Sequence, residues 1–106
     1  MIIRIDFLNI NVHISQSKKK YYKKRKELGL EEMTLVTDAV TTVIVLDGTL
    51  EFIVGTLKKQ KDNIPLVSHE FSHVVTQIFN YFEFTDDELR SYLLQYLLYS
   101  YTNKEI

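Results

Sequence analysis

Two of the three histidines in this 106-residue chain stand four residues apart around a glutamate, in His69-Glu70-Phe71-Ser72-His73. On an α-helix, at about 100° per residue, positions four apart fall within roughly 40° of each other. Both imidazoles then reach one Zn²⁺ at about 2.0–2.1 Å, with Glu70 one step round beside the metal. Zinc held by three protein ligands keeps an open position for water and lowers the pKa of that water towards neutrality. Glu70 is then the general base, taking the water proton and delivering it to a leaving amine. The chain has no Cys, which excludes disulfides, thiolate metal sites and thiol nucleophiles together and fits a reducing compartment.

The segment around the motif has the pattern of an amphipathic helix over residues 65–81, with Pro65 marking its start. Val67, Phe71, Val74, Val75, Ile78 and Phe82 gather on one side; His69, His73, Thr76, Gln77 and Asn80 lie opposite. A solvated helix face would put His69 and His73 in the same place, and so would two ordinary hydrogen-bonded histidines. Such a face is normally rich in Lys and Glu, however, and from Asn63 to Phe82 the only permanently charged side chain is Glu70. A polar face with so little charge is expected to line a cleft or lie under another element.

A third ligand has to come from elsewhere. After a break at residues 83–85 a last helix is expected to reach about Tyr101, with Leu89, Leu93, Tyr96, Leu97 and Tyr101 as its core face. Glu88 shares a stripe with Ser91, Tyr92, Gln95 and Tyr99, and antiparallel packing on the motif helix could return it to His69 and His73 as a His₂Glu site. The same glutamate also completes Thr85-x-x-Glu88, a capping box. In that case Asp87, Glu83 or Asp86 would be the substitutes, since no further carboxylate occurs before Glu105.

Ile64-Pro65-Leu66-Val67-Ser68-His69-Glu70-Phe71-Ser72-His73, followed by Glu88-Leu89-Arg90-Ser91-Tyr92-Leu93, resembles the small single-domain gluzincin-type zinc metallopeptidases often encoded by phages and mobile elements. The resemblance implies a short sheet before the H-E-x-x-H helix, with His69, His73 and Glu88 as zinc ligands and Glu70 as the base. It departs from the family pattern in one respect: only 14 residues separate His73 from Glu88, fewer than is usual. It also implies an edge strand that pairs with an extended peptide substrate, for which Thr49-Leu50-Glu51-Phe52-Ile53-Val54 is the candidate. Tyr92 or Tyr99 could donate to the developing oxyanion, although each suits better a packing tyrosine with its hydroxyl at the surface. His13 could support the site from behind or be structural.

The remaining elements follow from local pattern. Residues 2–14 alternate apolar and polar side chains and are expected to form one strand, bent near residues 9–11. Ser15 and Ser17 are N-cap candidates for a basic helix to about Leu28, with Gly29 as its stop. Residues 40–46 and 49–54 flank Asp47-Gly48, a pair that favours a tight hairpin turn. The expected fold is therefore α+β: one zincin-like domain over residues 1–106, a small three-stranded sheet, a basic N-terminal helix and two packed C-terminal helices. A chain this short has no room for a two-lobed enzyme with a deep cleft.

The near-neutral net charge conceals a division. Residues 1–26 carry eight basic groups against Asp6 alone, whereas the rest carries five basic groups against thirteen acids. The run from Lys18 to Lys26, with Tyr21 and Tyr22 inside it, could serve as a docking surface for nucleic acid or an acidic protein, or as a solvated helix face. No apolar run approaches the roughly 20 residues that span a bilayer, and the first residues lack the pattern of a secretion signal, so a cytoplasmic location is expected. The function expected is zinc-dependent hydrolysis of a peptide bond. The other reading is a catalytically inactive zincin-like binding module that docks through the basic helix. Substrate and oligomeric state are not legible here.

Overall fold

The computed structural model describes residues 1–31, 33 and 37–103. Along the chain these form β1 (Ile2–Ile5), a 3₁₀ turn (Asp6–Leu8), β2 (Ile10–Ser15), α1 (Lys18–Glu27), β3 (Ala39–Leu46), β4 (Thr49–Thr56), a second 3₁₀ turn (Lys58–Gln60), α2 (Ile64–Phe82) and α3 (Asp87–Thr102). The four strands make one mixed sheet in the order β1-β2-β4-β3. One strand more than expected comes from the N-terminus, where residues 2–14 are not a single bent strand but an antiparallel pair. Arg4 holds the reversal. Its guanidinium donates to Asp6 Oδ1 at 3.0 Å, Asn9 Oδ1 at 2.6 Å and Asn11 Oδ1 at 2.8 Å, while Asn9 takes the left-handed conformation at φ 55°. Asparagine tolerates that region better than other non-glycine residues, so the sequence signal for the turn was Asn9 rather than a glycine.

β2 pairs with β4 in parallel, and β3 pairs with β4 antiparallel across the Asp47-Gly48 turn. Those two residues have φ 50° and 80°, as a type I′ hairpin requires. This topology overturns one expectation. The strand containing residues 49–54 lies inside the sheet, paired on one side to β2 from Leu50 to Gly55 and on the other to β3 from Thr49 to Thr56. Both of its ladders are taken, so it cannot receive a peptide. The sheet edges belong to β1 and β3.

Alternation then sorts the side chains into two layers. Ile3, Ile5, Ile10, Val12, Ile14, Leu50, Phe52 and Val54 point to the face covered by α2 and α3, where they meet Val67, Phe71, Val74, Val75, Ile78, Phe79, Leu93, Leu97 and Tyr101. Burying each large apolar side chain contributes about 1.5–3 kcal/mol, so this face carries most of the stability. On the opposite face the enclosed apolar pair among the described residues is Ile53 of the sheet and Tyr21 of α1, which packs over it. There the Tyr21 ring lies directly on Gly55: a Cβ at that position would stand 2.5 Å from Tyr21 Cδ1. The helix ends follow local chemistry. Ser17 caps α1 by accepting from the Lys20 N–H, Asn63 caps α2 by accepting from the Leu66 N–H, and α2 stops at Glu83 with φ 57°. Among the described residues no helix is long and apolar enough to cross a membrane.

Candidate metal centre

α2 has its apolar side on the sheet, which turns His69 and His73 outwards and leaves Glu70 at the seam between helix and sheet. Both histidines are exposed, whereas Glu70 is 6% exposed. The two Nε2 atoms stand 3.1 Å apart, with the rings nearly perpendicular. Two nitrogens bound tetrahedrally to zinc at about 2.0–2.1 Å would be about 3.3 Å apart, so the imidazole pair already has close to the spacing a shared ion demands. One donor atom from each of His69, Glu70 and His73 lies within 4.8 Å of the other two, which makes a cluster able to chelate a metal ion. The helical i, i+4 geometry sets the imidazole pair, and the backbone one residue on sets the carboxylate.

Glu70 is held by a partner that sequence reasoning missed. The Thr41 hydroxyl, on β3, donates to Glu70 Oε1 at 2.7 Å and also lies 3.2 Å from the Glu70 carbonyl oxygen. A buried carboxylate needs such a donor, because an unpaired charge away from water is costly. Thr41 and Thr42 interrupt an otherwise aliphatic run from Val40 to Leu46, and that interruption was the available signal. Thr41 points towards α2, whereas Thr42 points to the other face and meets the Tyr21 hydroxyl at 3.1 Å.

Between α2 and the sheet edge runs a groove of about 340 Å³, lined by Ala39, Val40, Thr41, Val43, Glu70, His73 and Gln77. Of the low-charge polar side of α2, His73 and Gln77 line this groove, while His69, Thr76 and Asn80 are exposed outside it. The opposite wall of the groove is β3, with Val43 exposed at 36%; Val45, further along the strand and outside the groove, is 46% exposed. The strand beside the motif helix is thus β3 and not the strand of residues 49–54.

Other expected site residues lie elsewhere. α3 packs antiparallel on α2, with the Arg90 guanidinium over the Phe79 ring at 4.5 Å and Tyr101 edge-on to Phe71. Arg90 marks the side of α3 that faces α2, and at about 100° per residue Glu88 lies roughly 160° away from it. Glu88 is exposed and outside the chelating cluster. Nor does it cap through Thr85. Asp86 is the N-cap residue, accepting from the N–H groups of Glu88 and Leu89 at 2.8 and 3.3 Å. Asp86, Asp87 and Glu83 are likewise outside the cluster, and Glu105 lies outside the described residues. Tyr92 and Tyr99 are 58% and 66% exposed; Tyr92 lines a groove with Arg4, Phe7 and Tyr96 beside β1, at the opposite edge of the sheet from β3. His13 sits on the α1 face, with the sheet between it and the metal cluster, and is bonded through Nε2 to Glu51 Oε1 at 2.6 Å.

Comparison with known proteins finds no matching family model, no similar curated protein and no similar solved structure.

Proposed function

We propose that this chain is a zinc-dependent hydrolase of peptide bonds, with His69 and His73 as metal ligands and Glu70 as the general base. The observation that carries the reading is the His69-Glu70-His73 cluster, two of whose members, Glu70 and His73, line a groove whose far wall is an edge strand. A bound Zn²⁺ supplies a Lewis acid that polarises a carbonyl and acidifies water. The chain supplies the rest. Thr41 occupies Glu70 Oε1 and leaves Oε2 to accept the proton of an attacking water and return it to the leaving amine. The edge of β3 offers main-chain groups to an extended peptide, and Val43 and Val45 offer apolar contact to its side chains. Glu88 is not retained as a ligand in this proposal, nor Tyr92 and Tyr99 as oxyanion donors.

One observation favours the second reading, a zincin-like module that binds without catalysis. Among the described residues the cluster contains two imidazoles and a single carboxylate, so no separate third ligand stands beside the base. Zinc-loaded protein incubated with a peptide library separates the two. Cleavage by the wild type, lost in Glu70→Gln while zinc is retained, supports the hydrolase. Zinc retention without any cleavage by the wild type supports the binding module.

A further inference from the structure

The two edges of the sheet are finished differently. β1 is four residues long and carries Arg4, whose guanidinium is bonded to Asp6, Asn9 and Asn11. Its pairing with β2 turns the main-chain groups of Ile2 and Arg4 outwards, and there the Tyr96 hydroxyl donates to the Arg4 carbonyl at 2.8 Å. β3 runs for eight residues, Ala39–Leu46, with no charged side chain, no proline and no bulge in its register. Short length, charge, proline and bulges are the features by which an edge strand resists pairing with another chain. β1 has the first two and β3 has none.

The Leu57 N–H bonds to the Asp38 carbonyl at 3.0 Å, and the antiparallel register of β3 on β4 continues from that pair. Alternation then commits the main-chain groups of Val40, Thr42, Ile44 and Leu46 to β4 and turns those of Thr41, Val43 and Val45 outwards. No main-chain hydrogen bond from another described residue reaches them. Burial breaks off at the same place. β4 is buried from Leu50 to Thr56, whereas every residue of β3 is half-buried or exposed, on both faces of the sheet. An uncharged, β-branched strand suits the inside of a sheet, with a neighbour on each side.

We propose that a second copy of this chain supplies the missing neighbour, β3 pairing antiparallel with β3 about a two-fold axis at Val43, so that two four-stranded sheets become one. That register sets Val43 against Val43, Thr41 against Val45 and Thr42 against Ile44, cross-strand pairs of β-branched side chains that stabilise a sheet. It also matches a covered end to an uncovered one: Thr41, bonded to Glu70 of α2, comes opposite the exposed Val45 of the other copy. Asp38 and Asp47 lie past the ends of the paired stretch, where water screens their repulsion. A two-fold uses up both open edges and leaves only the two β1 edges, so assembly closes at the dimer. The dimer stands on the strand alone. On the hydrolase reading above it has a further consequence: the edge offered to a peptide is covered, and dilution uncovers it.

Sedimentation velocity on the full, chelator-treated chain tests this without reference to zinc or catalysis. A joint of one strand pair is small, so the dimer should predominate at about 100 µM and dissociate at about 1 µM. The amide protons of Thr41, Val43 and Val45 should exchange about tenfold more slowly at the higher concentration, with those of Ile2 and Arg4 unchanged. Val43→Lys and Val45→Pro should each weaken dimerisation by about tenfold or more. Both side chains are exposed and neither N–H is used in the β4 ladder, so these variants keep the fold, which circular dichroism checks. A chain that stays monomeric at about 100 µM overturns the proposal. So does a dimer indifferent to both substitutions, or one whose three amides exchange as fast as in the monomer. Protection of those amides by an added peptide but not by concentration overturns it too, and gives the edge to a peptide instead. Where the zinc-loaded wild type cleaves peptide, cleavage per chain should fall as the dimer forms; constant cleavage per chain overturns the covering of the site.

Discussion

The contact between Thr41 and Glu70 gives the sharpest test of how that buried carboxylate is held. Thr41→Val keeps the shape of the side chain and removes only the donor, leaving a carboxylate that is 6% exposed without its 2.7 Å partner. A hydrogen bond to a charged group contributes about 1.5–3 kcal/mol net, so the variant should lose about 2 kcal/mol of stability in chelator-treated protein. For a domain of this size each kcal/mol is worth about 4–8 °C, which places the melting temperature roughly 8–16 °C lower. Urea and thermal unfolding of the wild type, Thr41→Val, Glu70→Gln and the double variant form a cycle. The two substitutions should be non-additive by about 1 kcal/mol or more, because each removes the same interaction. Thr41→Ser, which retains the hydroxyl, should recover part of the loss. A cost for Thr41→Val within about 0.5 kcal/mol, as for an ordinary surface change, or strict additivity with Glu70→Gln, refutes the idea that β3 holds the Glu70 carboxylate.

Three further outcomes follow from other contacts. Gly55→Ala forces a methyl into the Tyr21 ring and should cost about 1–3 kcal/mol in urea melts; a neutral result would mean that α1 shifts freely on the sheet. Glu88→Ala should leave zinc affinity unchanged, because Glu88 is outside the cluster, whereas Asp86→Ala should cost about 1 kcal/mol of stability as a lost N-cap; a tenfold loss of zinc affinity in Glu88→Ala would restore that glutamate as a ligand. Burial pushes the Tyr101 phenol above its ordinary value, against the lowering effect of the bond from Gln16. The unfolded chain therefore releases the proton near pH 10 while the folded chain still holds it, so stability should fall as pH rises through about 10. Unfolding midpoints at stepped alkaline pH check this, and Tyr101→Phe should show a shallower decline; equal slopes would contradict it.

The motif helix was legible because its two requirements coincide. Apolar residues at helical spacing fix which side meets the sheet, and the same period places His69 and His73 together on the other. The hairpin was legible for a similar reason, since Asp47-Gly48 tolerates the positive φ values a tight turn needs. What escaped was long-range. That β4 would lie inside the sheet depends on its parallel pairing with β2, across a sequence separation of about 40 residues, and nothing in the local pattern of either strand encodes that partner. The free edge consequently passed to β3, and with it the wall of the groove. Glu88 escaped because a helix stripe can be read from sequence while its rotation about its own axis cannot. The rotation is that which buries Leu93, Leu97 and Tyr101, with Arg90 over Phe79 on the same side, and it leaves Glu88 on the outside. The N-terminal reversal depended on one arginine reaching three side chains, a signal spread over Asp6, Asn9 and Asn11 rather than written at one position.

The claim that His69 and His73 hold a metal is tested most directly by zinc content and zinc K-edge absorption on protein prepared without a metal-binding tag. The account predicts close to one zinc per chain with two imidazole nitrogens at about 2.0–2.1 Å, and loss of the ion in His73→Ala with the fold retained. Protein that binds no zinc even when it is supplied in excess, or zinc that persists in His73→Ala with unchanged absorption, would contradict it.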